Sequence, residues 1–157
     1  EIHMALKPDR IESHTDISFF MNAVAERGVV VVAATGTASS NVGASMDDAG
    51  ALAEVAALAT SRNPLGVLLN DVKDYDLTKQ HINGYKDEVQ KGGKVTILRQ
   101  GQVTTDQLVS GDEPKAGMPA HLANNGELTV TTTNAKVGQF LGGKDADGFV
   151  KVDINIS

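Results

Sequence analysis

The sequence predicts a mainly β protein, a small barrel or sandwich with one helix near its N-terminus, and three observations lead there. From Asn63 onward, short runs rich in Val, Ile, Leu and Thr recur between turn signals such as "KGG", "RQG", "NNG" and "KDADG". The closing run sets Val150, Val152, Ile154 and Ile156 against Phe149, Lys151, Asp153 and Asn155, a period of two that gives one apolar and one wet face. Ahead of both, "HTDISFFMNAVAERG" has the caps and spacing of a helix.

The elements follow in chain order. His3-Met4 is what an NdeI cloning site encodes, so Met4 is the expected natural start and residues 1–3 a vector remnant. Residues 4–28 are expected to form an N-terminal arm and helix, and residues 29–157 the β domain. Lys7 to Ser13 is charged and reads either as an adhesive arm or as a frayed terminus. In the helix, expected over 17–27, Thr15 or Asp16 serves as N-cap and Gly28 as the C-terminal stop. Ile17, Phe20, Met21 and Val24 form its apolar stripe. Phe19 and Phe20 give it an aromatic face that packs on its own body or anchors to something else.

"GVVVVAATG" then reads as a buried strand, and residues 35–45 as a loop of small and polar residues. Residues 46–60 admit two readings. Their alanines favour helix, while the β-rich sequence that follows favours strand for the second half. "PLGVLLNDV", "KVTILRQGQVTTDQLV", "GELTVTTT", "KVGQFLGG" and "GFVKVDINI" supply the remaining strands. Within them, "KGGKVTILRQG" reads as a hairpin turned by its glycines, with Val95 and Ile97 on one side and Thr96 and Leu98 on the other.

A chain of 157 residues fits one domain, which buries roughly two thirds of the surface of its unfolded chain. With no cysteine, disulfides, thiolate metal sites and cysteine nucleophiles are excluded. A net charge of −6 repels polyanions, and no Lys/Arg run with interleaved aromatics suggests a nucleic-acid groove, so no nucleic-acid partner is expected. No apolar stretch approaches the roughly 20 residues of a bilayer-spanning helix, so no membrane partner is expected either.

Candidate chemistry is sparse. His14, His81 and His121 lack ligand spacing, and no metal site or cofactor is expected. "KDADG" at 144–148 begins like an oxygen-rich calcium loop but lacks the later ligands, and Asp-Gly between strands is a hairpin signal. Asp71, Asp74 and Asp76 are close enough in sequence for acid–base work, yet they interleave with Lys73 and Tyr75 as a solvated connection would. Ser39, Ser40 and Ser45 lie in no nucleophile elbow, and Gly36 and Gly43 belong to no phosphate loop. No catalytic residue is assigned.

Taken together, "NPLGVLLNDVKDYDLTKQHINGYKDEVQKGGKVTILRQGQVTTDQLVSG", "GMPAHLANNGELT" and "VGQFLGGKDADGFVKVDINI" resemble the head decoration (cement) proteins of tailed bacteriophages. The similarity covers residues 63–156 best. It implies a small β-barrel or β-tulip-like domain, made in the host cytoplasm, that binds the outer capsid surface of the virion as a homotrimer and holds the major capsid protein against internal pressure. Lys7, Pro8, Asp9, Arg10, Ile11, Phe19 and Phe20 are the candidate partner-binding residues. Two other functions compete: a receptor- or glycan-binding module on a virion surface, and a small hydrolase or isomerase built on Asp71–Asp76 and His81.

Overall fold

The computed structural model describes residues 6, 7, 10–17, 19–21, 23–33, 52–73, 88–91 and 93–156. They form twelve strands: β1 (Ile11–Asp16), β2 (Phe20–Met21), β3 (Val30–Ala33), β4 (Leu52–Glu54), β5 (Pro64–Leu68), β6 (Asp71–Lys73), β7 (Glu88–Gln90), β8 (Ile97–Thr105), β9 (Pro119–Leu122), β10 (Leu128–Thr129), β11 (Lys136–Phe140) and β12 (Val150–Asn155). The main sheet is open and runs β10-β9-β11-β12-β8-β5-β3-β4-β2, with β1 added on β8; β6 and β7 pair separately. All pairs in the main sheet are antiparallel except β2 with β4. The mainly β expectation holds. A closed barrel is not shown: among the described residues β10 and β2 end the strand path.

β8 is the hub. At Ile97 and Leu98 it lies between β5 and β1, and from Gln100 to Gln102 between β12 and β1. β1 therefore covers one edge of β8, while β5 and β12 share the other. Residues beyond β8 return to the sheet's far end: Leu128 accepts from the Val109 N–H and donates to the Gln107 carbonyl, both at 2.9 Å.

Two apolar clusters hold the sheet. Val30, Val32, Val67, Leu98, Val103, Leu122, Phe140, Val152 and Ile154 belong to the first. Met21, Val29, Val31, Leu68, Val72, Val95 and Ile97 belong to the second. Successive residues of β3 feed opposite clusters, which explains why "VVVV" is apolar at every position: it is covered on both faces. Val150, Val152 and Ile154 are buried in strict alternation, as the closing run predicts. "NNG" becomes a single 3₁₀ turn at Asn124–Gly126 with Asn125 at φ +61°, a left-handed conformation that asparagine tolerates.

The helix expected over 17–27 is not seen among the described residues of this segment: Phe20–Met21 is strand, and Ala25 bridges to Val72. Backbone bonds leave the segment instead of closing on it. The Met21 N–H donates to the Gly93 carbonyl at 3.1 Å, the Val95 N–H to Phe19 at 3.2 Å, and Ala25 exchanges bonds with Val72 at 3.2 and 2.8 Å. The apolar residues fit both periods. Phe19, Met21, Ala23 and Ala25 pack on the second cluster at a spacing of two, whereas Val24, counted in the helical stripe, is exposed. Tertiary pairing decides between them.

Two further expectations change. "RQG" does not turn the chain, because Gly101 sits in mid-strand, although the expected sides hold, with Val95 and Ile97 in the second cluster and Leu98 in the first. A side chain at Gly101, where φ is +152°, would collide with the Ile11 carbonyl oxygen, so glycine is required by the passing β1 backbone. Among the described residues of the ambiguous 46–60 segment, strand occurs at Leu52–Glu54 and at none of 55–60; residues 46–51 and the loop expected at 35–45 lie outside the described residues.

Candidate docking surface

The N-terminal stretch is built into the sheet. Leu6 is 1% exposed, bridges to Thr105 and belongs to the first cluster. The Lys7 N–H donates to the Thr104 carbonyl at 2.9 Å. Its ammonium lies 3.4 Å from Asp145 Oδ2 and 4.6 Å over the centre of the Phe149 ring. Asp145 is held in turn by the N–H groups of Phe149 and Asp147, each 2.9 Å from Oδ1. The Phe149 N–H foremost, with Asp147 and Lys7, keeps its carboxyl below the usual range. "KDADG" is thus a loop closed by an aspartate, joining β11 to β12.

Further along, Arg10 Nε is 2.6 Å from Glu12 Oε1, and Ile11 is 55% exposed. β1 keeps nearly all its side chains in solvent and touches the body through its backbone ladder with β8. Phe19 packs on the second cluster. Phe20 pairs with Leu52 and carries the Lys94 ammonium 5.4 Å above its ring. Both phenylalanines are therefore attached to the body. Pro8 and Asp9 lie outside the described residues.

Beside β1 the strands form a shallow, open depression of about 260 Å³, whose lining includes Ile11, Ser13, Gln100, Gln102, Asp153 and Asn155. The register explains the grouping: Gln102 is opposite Asp153 and Gln100 opposite Asn155, so amides and a carboxylate alternate across two strands. Sequence reading placed Asp153 and Asn155 on a wet face but missed Gln100 and Gln102, because it put a turn between them. The surface can donate and accept several hydrogen bonds at once.

The other candidates do not converge. His14 is exposed on β1; His121 is buried and donates from Nδ1 to the Asn134 carbonyl at 2.8 Å; His81 lies outside the described residues. Among the described residues, no three His, Cys, Asp or Glu side chains are placed to hold a metal ion. Asp71 accepts the Arg27 N–H at 2.8 Å and faces its guanidinium at 3.3 Å. Burial raises its pKa, but these two donors outweigh that and hold it below the usual carboxylate range. Asp74, Tyr75 and Asp76 lie outside the described residues, as do Ser39, Ser40, Ser45, Gly36 and Gly43. No protein-family model matches the chain, and no curated protein is significantly similar to it.

Proposed function

We propose that the protein is a noncatalytic decoration protein that binds the outside of an icosahedral phage capsid, with the major capsid protein as partner, and stabilises the shell. The phage resemblance supplies the function class. The observation that carries it is the state of Leu6 and β1: Leu6 is anchored in the core, and β1, laid along β8, displays Ile11 and Glu12 to solvent on a fixed frame. A preformed surface loses little conformational entropy on docking, and many copies on one shell multiply a modest affinity. The return of Leu108 to Leu128 fits a barrel-like or tulip-like body under that surface.

The test uses mature shells stripped of their decoration protein. The protein is expected to co-sediment with them and raise the temperature at which they release DNA, whereas Ile11→Asp, at an exposed position, loses most of the binding while keeping its own melting temperature. Equal binding by the variant removes β1 from the interface; no binding by the wild type removes the reading. The amide-rich depression favours a second reading, saccharide recognition on a virion surface, for which competable glycan-array hits lost in Gln102→Ala are the required result.

A further inference from the structure

We infer that the outer edge of β1 pairs antiparallel with β1 of a second copy of this chain, about a two-fold axis at Ser13. Among the described residues only β8 pairs with β1, so the backbone groups on its other edge point away from the sheet, and such an edge is a template for another strand. What the edge pairs with follows from its sequence. With Ser13 opposite Ser13, Glu12 faces the partner's His14 and Arg10 faces the partner's Asp16, and each of these contacts occurs twice. Asp16 keeps its contacts within its own chain and meets Arg10 in addition.

Other registers lack this match. A slip of one residue either way opposes no charged pair among Arg10–Ile17. A slip of two sets Glu12 against Glu12 in one direction and against Asp16 in the other, both repulsive. The ladder with β8 is irregular around Ser13 and His14, which keeps the pairing short, and a two-fold contact uses up the edge in both copies. Growth into longer sheets is blocked. The threefold assembly implied by the phage resemblance needs a head-to-tail contact instead, so this inference does not depend on that reading; shell binding can fail while the pairing stands.

A six-residue strand buries far less than a standard interface, so the pair is weak and is best trapped covalently. The chain has no cysteine of its own. Opposed residues in an antiparallel ladder have Cα atoms about 4.5–5.5 Å apart, inside disulfide range, so Ser13→Cys is expected to link into dimers under mild oxidation. Ile11→Cys and Thr15→Cys each face the other position, which leaves like residues about 13 Å apart. Each alone should link at least about 10-fold more slowly, and the doubly substituted chain should link as readily as Ser13→Cys. Light scattering should give a dimer mass for the linked species. Equal rates at the three single sites, no linkage at Ser13, or a trimer mass in place of a dimer would overturn the inference.

Discussion

Gly101 separates a strand threaded under β1 from the turn that its sequence context suggests. Replacing it with alanine keeps a positive φ that costs a residue with a side chain about 1–3 kcal/mol. The added Cβ also meets the Ile11 carbonyl oxygen, so β1 has to shift and its nearest ladder bonds, about 1 kcal/mol each, weaken. Together these give about 2–4 kcal/mol, which in a chain of this size lowers the melting temperature by roughly 4–16 °C. Two other glycines calibrate the effect. Gly111 has φ +92° with nothing within 4 Å of an added Cβ, so Gly111→Ala reports strain alone; Gly142 has open space and no such φ, so Gly142→Ala stays within about 0.5 kcal/mol of wild type. The assay is thermal unfolding followed by circular dichroism, with amide hydrogen exchange across Ile11–Asp16. If Gly101→Ala costs no more than Gly111→Ala, and the β1 amides exchange as in the wild type, β1 does not lie on β8.

Asp71→Asn should flatten the acid limb of stability. The folded carboxyl titrates below its unfolded value of 3.8, so its contribution is present above that pH and fades as the pH falls through the folded value, which urea melts of both proteins between pH 7 and pH 2 measure. Asp112→Ala removes the acceptor for Thr129 Oγ1 at 2.6 Å and the Val130 N–H at 3.1 Å, and a loss of about 1–3 kcal/mol is expected from denaturant midpoints. Phe140→Ala empties a fully buried site in the first cluster and should cost about 3–5 kcal/mol by the same measurement.

What the sequence reveals follows from where each segment sits. β3 and β12 are legible because burial imposes a pattern on them: both faces in "VVVV", one face in the closing run. β1 is illegible for the opposite reason. Ile11, Glu12, Ser13, His14 and Thr15 are all exposed, so no alternation marks the strand, and the ladder that holds it runs to residues 97–102, far along the chain. The 17–27 segment misleads because eleven residues hold too few apolar positions to distinguish a period of 3.6 from one of two. Bonds to Gly93, Val95 and Val72 then decide it. The candidate surface is legible only in part: Lys7 to Ser13 stands out by charge, whereas Gln100 and Gln102 acquire meaning only when the register brings Asp153 and Asn155 beside them.

The way the strap is attached also constrains how the surface works. An arm that detached to add a strand to a shell protein would first withdraw Leu6 from the core, at about 1.5–3 kcal/mol, and expose the edge of β8 that β1 now covers. The ladder bonds lost from β8 would at best be remade one for one on the shell, so the exchange runs uphill unless the shell offers Leu6 an equivalent pocket. Docking in place carries no such cost, because the side chains of Ile11 and Glu12 already face outward while the backbone stays on β8. If the protein binds a shell as proposed, contact through the displayed side chains, with β1 left on its sheet, is therefore the lower-energy route.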